Sequence, residues 1–283
     1  MSTDNVLQEL KCEGLSDRLP QSPVCKVCSS KTNLFTVLDF NAVCLANSNY
    51  KLGLLGVPIY YHRCSECGLI YTYAFDKFTS NGWIKYIYND EYFTKLDTGY
   101  GFVRPSLNAE ILHAISIYWG KSRTIGVDYG GGNGMLSQIL RKRSIAYYTY
   151  DPFDLSDIRE EDIGKFNILS AFEVLEHTID PIGTFKDILR LAADKFVFVA
   201  STQCSHDLVN LNTHDTWWYV APRNGHVSIY TVESLQQIAN QFQLDYISVS
   251  RGLHLFGRGV DLPQLKYLAG LIKLKQRILS KLK

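Results

Sequence analysis

The sequence lacks an excess of charge of either sign and a long apolar run, and its first ten residues contain no apolar segment. Its 29 basic and 28 acidic residues give a formal net charge of +1, so overall charge offers no basis for binding nucleic acid. No apolar run approaches the roughly 20 residues that cross a bilayer. The first ten residues are polar and acidic, so we expect no secretory signal and a cytoplasmic protein.

Internal repeats and low-complexity tracts are also missing from the 283 residues. Hydrophobic residues make up 46% and charged residues 20%, which is typical of a globular, core-forming chain. This length accommodates one large α/β domain and a small additional module. We expect five segments: a polar N-terminal segment 1–21, a cysteine-bearing module 22–73, an aromatic connector and helix 74–119, an α/β domain 120–260 and a basic amphipathic helix 261–283.

Four of the seven cysteines form two Cys-x-x-Cys pairs, Cys25 with Cys28 and Cys64 with Cys67. An odd number of cysteines argues against a disulfide framework. Two such pairs supply the four thiolates of a closed tetrahedral Zn²⁺ site, which stabilises a fold and leaves no position open for catalysis. The alternative is that these thiols are free or redox-active. The other three cysteines are expected to be ordinary thiols.

From Thr124 onward, predicted strands and helices alternate, which indicates a mainly parallel α/β sheet. Strands are predicted at 124–127, 146–150, 166–171 and 195–200, and helices at 107–119, 135–143, 184–193 and 231–242. Residues 246–250 and 253–258 are expected to add an antiparallel edge to the sheet.

A glycine-rich loop, Asp128 to Gly134, lies between the first of these strands and the following helix. Glycines let the backbone approach a ligand closely, and the helix N-terminus offers free N–H groups, which suits a nucleotide-like ligand. The dinucleotide fingerprint requires Gly or Ala at position 135, where this chain has Met135. A P-loop is also a poor match, because Gly120-Lys121-Ser122 precedes the strand.

The loop fits the pattern apolar–acidic–apolar–Gly-x-Gly-x-Gly, formed by Val127, Asp128, Tyr129, Gly130, Gly132 and Gly134. It resembles motif I of the class I S-adenosylmethionine-dependent methyltransferases. Asp151 ends the next strand, and the third strand runs into Glu173-Val-Leu-Glu-His177, followed by Asp180-Pro181, as is common in that family. The resemblance covers about residues 124–202 and implies a Rossmann-like fold with S-adenosylmethionine as cofactor.

The same resemblance implies roles for individual residues. Six of them are expected to bind the cofactor: Asp128, Gly130, Gly132, Gly134, Asp151 and Glu173. Asp151 would accept hydrogen bonds from the ribose, and Asp128 would orient the loop or the amino group. For Glu176 and His177 we expect capping and packing, with catalysis as the alternative.

A four-cysteine module ahead of such a domain resembles a narrower group, the sugar C-methyltransferases that act on nucleotide-linked deoxysugars, and similar proteins of surface-polysaccharide biosynthesis. The connector Tyr88-Asn-Asp-Glu-Tyr-Phe93 and Gly99-Tyr100 also look like that group, in which this stretch approaches the cofactor. The resemblance implies a sugar or nucleotide-sugar as the small-molecule substrate.

The stretch from Asn212 to Thr231 follows the last parallel strand, at the end of the sheet where α/β folds bind ligands, and is rich in Trp, Tyr and His. Aromatic faces stack on sugar rings, and His removes protons near neutral pH. In the related sugar C-methyltransferases a Tyr-His-Glu-His stretch supplies the base. His226 matches its last position, whereas Arg223-Asn224-Gly225 replaces the rest, which leaves C- or O-methylation open. We predict three catalytic residues: His226, His214 and Tyr230.

Residues 263–283 carry six basic and no acidic side chains, together with regularly spaced Leu and Ile. We expect a helix that packs on the domain and turns its lysines to solvent. Contact with an anionic membrane or a partner protein is the alternative.

Two functional alternatives to methyl transfer remain. The first is a non-catalytic zinc-ribbon binding protein with a methyltransferase-like scaffold, against which the intact glycine loop and Asp151 argue. The second is an NAD-dependent sugar epimerase or dehydrogenase. Met135 disfavours it, and the Tyr-x-x-x-Lys spacing of such enzymes occurs at Tyr73 and Lys77, upstream of the glycine loop.

Overall fold

A computed structural model describes residues 3–44, 50, 52–99, 101–152, 156–205 and 217–281. The chain forms two compact units, each assembled from stretches that are far apart in sequence. The first comprises Met1–Thr98, Glu176–Ile182 and Gln203–Gln237, and the second comprises Gly99–Leu175, Gly183–Thr202 and Ile238–Lys283. The segments expected from the sequence follow chain order, whereas the units do not.

The regular elements of these units include strands and α-helices. Within the described residues the strands are β1 (Thr32–Asp39), β2 (Pro58–Cys64), β3 (Ile70–Thr72), β4 (Ile125–Tyr129), β5 (Ala146–Tyr150), β6 (Phe166–Phe172), β7 (Ala192–Ser201), β8 (Ser228–Ile229), β9 (Asp245–Ser250) and β10 (Leu253–Arg258). The α-helices are α1 (Thr3–Cys12), α2 (Ser80–Gly82), α3 (Val103–Trp119), α4 (Met135–Arg141), α5 (Pro181–Arg190), α6 (Val232–Gln241) and α7 (Leu262–Lys281).

The first unit is built on a four-stranded antiparallel sheet in the order β1-β2-β3-β8. Its last strand comes from far along the chain, and Ile229 of β8 pairs with Ile70 of β3. The core beside this sheet is rich in aromatic rings: Phe40, Tyr61, Phe75, Phe78, Trp83 and Tyr92. Two turns of π-helix, Trp83–Ile87 and Tyr92–Leu96, contribute the last two of these rings.

The second unit is built on a six-stranded sheet in the order β5-β4-β6-β7-β10-β9. Strands β5, β4, β6 and β7 are parallel, whereas β10 runs antiparallel to both β7 and β9. The expected mainly parallel Rossmann-like sheet with an antiparallel edge is thereby confirmed. Its core is largely aliphatic, and α3, α4 and α7 contribute apolar side chains to it. No helix in the described stretches is long and apolar enough to span a bilayer.

The order of the parallel strands creates a switch point, the place where open α/β sheets bind ligands. The chain passes from β4 to β5 on one side and returns to β6 on the other side of β4. Loops that leave β4 and β6 therefore separate, which opens a crevice at the carboxyl ends of these strands. The glycine-rich loop follows β4, so the fold places it in this crevice.

Candidate functional site

The glycine-rich loop of the second unit connects β4 to α4 with three left-handed residues. Gly130, Gly132 and Gly134 have φ angles of 69°, 52° and 74°, which side-chain-bearing residues rarely adopt. A Cβ atom on Gly130 would lie 2.7 Å from the Cγ2 atom of Val174. Glycine is thus required at Gly130 both by the backbone angle and by the lack of space, and the loop presents bare backbone to the crevice.

Asp151 follows β5 and its carboxylate reaches the loop. Its Oδ2 atom accepts a hydrogen bond of 2.8 Å from the N–H of Gly132. The bond places an acidic side chain beside the backbone of the glycine-rich loop. This is the position expected of a carboxylate that binds ribose hydroxyls.

Asp128, on β4, lies beneath the loop and forms a largely buried part of the crevice wall. It is buried, and its Oδ1 atom accepts a 2.6 Å hydrogen bond from the hydroxyl of Ser170. Burial raises the pKa of Asp128 to about 7, the bond from Ser170 opposes this shift, and the charge of Asp151 adds to it. A Cβ atom on Gly131 would meet the Oδ2 atom of Asp128 at 2.9 Å, so this carboxyl packs against the loop that it supports.

Glu173 follows β6 in a strained, left-handed conformation, with a φ angle of 55°. Its N–H donates to the carbonyl oxygen of Ser201 at 3.0 Å, and the Ser201 hydroxyl donates to its Oε1 atom at 2.8 Å. The guanidinium of Arg104 lies 3.9 Å from its other carboxylate oxygen. These contacts hold the carboxylate at one wall of the crevice.

The crevice is a groove that is open to solvent on one side. Its walls combine bare backbone, apolar side chains and charges of both signs. They are formed by Arg104, Pro105, Asn108, Asp128, Gly130, Gly131, Asn133, Met135, Leu136, Phe172 and Glu173. Backbone N–H groups, carboxylates and an apolar floor suit a ligand that has a polar sugar, a charged amino acid part and a flat base.

The first unit brings the four cysteines of the Cys-x-x-Cys pairs together. The Sγ atoms of Cys25 and Cys67 lie 3.5 Å apart, and those of Cys28 and Cys64 lie 3.4 Å apart. All four Sγ atoms are within 4.8 Å of one another. A tetrahedron of thiolates with Zn–S bonds of about 2.3 Å has edges of about 3.8 Å. The four sulfur atoms therefore fit a single tetrahedral Zn²⁺ ion.

Backbone N–H groups also point at these sulfur atoms. The N–H of Val27 donates to Cys25, and the N–H groups of Glu66 and Cys67 donate to Cys64, each at 3.4 Å. The hydrogen bond from Cys67 lowers the pKa of Cys25 to about 5, and the pKa of Cys67 is raised in turn. Donors of this kind orient thiolate ligands and stabilise their charge.

Of the predicted catalytic residues, His226 is buried in the first unit and oriented by its neighbours. Its Nδ1 atom lies 2.7 Å from the carbonyl oxygen of Tyr219. Because a carbonyl oxygen only accepts hydrogen bonds, Nδ1 carries the proton and Nε2 holds the basic lone pair. The hydroxyl of Tyr61, on β2, donates to the carbonyl oxygen of His226 at 2.6 Å and fixes the backbone there.

The other two predicted catalytic residues, Tyr230 and His214, differ from His226 in what the structure shows of them. The hydroxyl of Tyr230 is buried, lies 3.1 Å from the hydroxyl oxygen of Thr178, and has a raised pKa because of its burial. It therefore stays protonated at neutral pH and serves as a hydrogen-bonding group. His214 lies outside the described residues.

Three residues around His226 are not among the predicted catalytic residues, although catalysis is the alternative expected from the sequence for Glu176 and His177. The ring of His177 is 5.0 Å from that of His226, and its Nδ1 atom donates to the carbonyl oxygen of Gly225. Glu176 is fully buried and accepts a 2.5 Å hydrogen bond from the Tyr219 hydroxyl. The adjacent Glu176 and His177 were a visible signal in the sequence, whereas the pairing of Glu176 with Tyr219 joins positions 43 residues apart.

Residues 103–249 match the family described as "Methyltransferase domain", which is 147 of the 283 residues. No curated protein matches the chain significantly.

Solved structures that resemble it do so distantly. Magnesium protoporphyrin IX methyltransferase from Synechocystis PCC 6803, solved with bound SAH, is 13% identical with a TM-score of 0.40, over 56% of this chain and 85% of that one.

Two further structures show a similar degree of likeness. A possible histamine N-methyltransferase from Thermotoga maritima is 11% identical with a TM-score of 0.36, over 56% of this chain and 90% of that one. The plantazolicin methyltransferase BpumL in complex with SAH is 10% identical with a TM-score of 0.39, over 55% and 84%. The family assignment rests on the sequence match alone.

Proposed function

The chain belongs to the family of methyltransferase domains, and from this membership we propose that it transfers the methyl group of S-adenosylmethionine to a sugar or nucleotide-linked sugar in glycan biosynthesis. The observation that carries the proposal is the crevice after β4, where Asp151 binds the N–H of Gly132 beside three left-handed glycines. Bare backbone next to a carboxylate is suited to the ribose and methionine parts of such a cofactor.

We assign a separate role in holding the cofactor to each of the acidic residues around the glycine-rich loop. Asp151 is assigned to the ribose hydroxyls, and Glu173 to the cationic amino group or the substrate. Asp128 would support the loop from below, as its buried position indicates. When bound, S-adenosylmethionine supplies a methyl group that is activated by its sulfonium charge, so the protein has mainly to align the acceptor and remove its proton.

For the proton we assign His226 as the base. Its Nδ1–H is held by the Tyr219 carbonyl oxygen, so Nε2 is the ring nitrogen that would accept a proton from an acceptor hydroxyl or carbon acid. Glu176 and Tyr219 are positioning residues, because their mutual hydrogen bond holds the Tyr219 side chain against the His226 ring, with centroids 4.3 Å apart. His177 is a second candidate base in the same cluster.

A sugar acceptor is supported by the aromatic side chains beside this cluster. The rings of Trp217, Trp218 and Tyr219 contact one another, with centroids 5.1 to 6.1 Å apart. Part of the Trp218 side chain remains exposed. Flat aromatic faces next to hydrogen-bonding groups are suited to the apolar faces of a sugar ring.

Arg223, which departs from the sugar C-methyltransferase pattern, has a structural role. Its guanidinium is buried and binds the carboxylate of Glu91 at 2.6 Å and the carbonyl oxygen of Ile87 at 3.3 Å. It is therefore committed to holding the connector and does not replace a base. His226 remains as the base in this stretch, whichever acceptor atom is methylated.

We also propose that the four cysteines hold a structural Zn²⁺ ion that positions His226. Cys64 ends β2, the strand whose Tyr61 binds the backbone of His226. The hydroxyl of Thr231 donates to the carbonyl oxygen of Cys67 at 2.5 Å, three residues after β8 begins. A metal ion that fixes both Cys-x-x-Cys turns would thereby also fix β2 and the residues after β8. Because both of these contact or adjoin the segment that contains His226, the metal would hold the base in position.

Product analysis across a panel of nucleotide-linked sugars tests the proposed activity. The protein is incubated with S-adenosylmethionine and each sugar, and we expect one sugar to gain the mass of one methylene unit. The His226→Gln variant is the matched comparison and should form this product at least about a hundredfold more slowly. If every sugar of the panel stays unchanged while the protein binds S-adenosylmethionine, the sugar assignment is contradicted.

Metal analysis tests the zinc proposal separately. We expect the purified protein to contain one Zn²⁺ per chain. The Cys64→Ser variant should lose the metal together with about 3 kcal/mol or more of its free energy of unfolding. Cys12→Ser, at an exposed cysteine outside the cluster, is the control and should keep the metal. The zinc site would be refuted if the unaltered protein contained no metal and Cys64→Ser unfolded with the same free energy as the unaltered protein.

A further inference from the structure

Helix α7 of the second unit has two apolar faces. The inward face is buried in the aliphatic core through Leu262, Leu265 and Ala269. The outward face consists of four large apolar side chains that are 45% to 67% exposed. We name it the α7 stripe, and it contains Tyr267, Leu271, Leu274 and Ile278.

Spacing makes these four residues one surface. They are separated by four, three and four positions, so they lie above one another on the same side of the helix. The line is about 16 Å long at 1.5 Å per residue. Single exposed apolar side chains are ordinary on protein surfaces, whereas a row of four adjacent ones is a candidate interaction surface.

Basic residues flank the stripe on both sides. At 100° per residue, Lys275 lies along one edge, and Lys266 and Arg277 lie along the other. All three side chains are exposed, and no acidic residue occurs between positions 262 and 283. Within the part of the chain that the structure describes, no carboxylate forms an ion pair with Lys266 or Lys275.

We propose that the α7 stripe binds the surface of an anionic lipid bilayer. Leucine and isoleucine side chains would enter the boundary between headgroups and acyl chains, and the flanking basic groups would meet lipid phosphates. Tyr267 suits the same boundary, because its ring is apolar and its hydroxyl is polar. A second copy of the chain fits less well, since pairing two stripes would bring basic edges against basic edges.

The proposal goes beyond methyl transfer and is independent of it, because binding is measured without a methyl acceptor. The full chain is mixed with vesicles of neutral phosphatidylcholine, or with vesicles that also contain anionic phosphatidylglycerol, and bound protein is recovered by flotation. We expect binding to the anionic vesicles, little binding to the neutral ones, and loss of binding at high salt.

Two variants separate the apolar and charged contributions. Leu271→Gln with Leu274→Gln should weaken binding at least about tenfold. Lys266→Gln with Lys275→Gln should weaken it roughly 25-fold, since each basic group near an anionic surface contributes about a factor of five. Ile117→Gln is the matched control, an equally exposed apolar residue on α3, and should bind like the unaltered protein. Circular dichroism verifies that each variant is folded.

Several results would overturn the proposal. The first is the absence of binding to anionic vesicles at low salt. The second is equal binding to both kinds of vesicle, and the third is unchanged binding of either double variant. Sedimentation of the protein alone gives a fourth: a dimer that the Leu271→Gln, Leu274→Gln variant dissociates, without vesicle binding, would assign the stripe to self-association.

Discussion

Asp128 illustrates how a single residue supports the cofactor crevice at a cost to folding. Its carboxyl is buried beneath the glycine-rich loop, and burial raises its pKa from 3.8 to about 7. A carboxyl whose folded-state pKa is raised contributes its full stability below the unfolded pKa and loses it as the pH rises through the folded pKa. The protein should therefore become less stable between about pH 4 and about pH 8 because of this residue.

The Asp128→Asn variant should lack this pH-dependent loss of stability. We expect its free energy of unfolding to exceed that of the unaltered protein by an amount that grows between about pH 5 and about pH 8, up to about 4 kcal/mol. Urea unfolding of the cofactor-free protein at both pH values measures the difference. Asp194→Asn, at an exposed position on β7, serves as the control and should show no such growth. Parallel pH profiles for Asp128→Asn and the unaltered protein would contradict the assignment.

His226 is the residue whose loss should affect catalysis without affecting cofactor binding. With an acceptor from the sugar panel, His226→Gln should lower kcat by roughly 10²–10⁴-fold, which is the usual contribution of a general base. Its affinity for S-adenosylhomocysteine should stay the same, because no crevice residue changes. His113→Gln, a histidine on α3 outside the cluster, is the control. If His226→Gln kept a normal kcat, His226 would not be the base and another group would have to remove the proton.

At the scale of elements, the loop between β4 and α4 depends on glycine. Gly130→Ala combines a left-handed backbone angle with a 2.7 Å approach to Val174. We expect it to lower the free energy of unfolding by about 1–3 kcal/mol and to weaken binding of S-adenosylhomocysteine at least about tenfold.

Gly270→Ala provides the matched substitution in a helix. A Cβ atom at Gly270, in the middle of α7, meets no atom within 4 Å. We expect a gain of about 0.5–1 kcal/mol from helix propensity and no change in cofactor affinity. Thermal unfolding and titration calorimetry compare the two variants. Equal effects of the two alanines would show that the loop does not require glycine.

The elements of the second unit follow from local sequence patterns. Strand β5 was predicted with its observed bounds, and helix α4 with its observed start at Met135, because each has a clear apolar period and a glycine or charged boundary. Helix α3 begins four residues earlier than predicted, at Val103, because a proline at position 105 is tolerated in a first turn. The π-helical turns around Trp83 and Tyr92 had no local signal.

At the scale of the whole molecule, the features that sequence reasoning missed are long-range. Strand β8 has two residues and exists because Ile229 pairs with Ile70 of β3, so no local period could reveal it. This pairing places Gln203–Gln237 in the first unit. The position of Asp151 directly after β5 could be predicted from the sequence, whereas the hydrogen bond between Glu176 and Tyr219 is formed only by tertiary packing.

Binding of S-adenosylhomocysteine, measured by isothermal titration calorimetry, is the most direct test of the cofactor crevice. The unaltered protein should bind one molecule per chain, and Asp151→Asn should bind at least about tenfold more weakly, since a charge-assisted hydrogen bond contributes about 1.5–3 kcal/mol. Asp194→Asn should bind normally. Failure of the unaltered protein to bind either S-adenosylhomocysteine or S-adenosylmethionine would contradict the account.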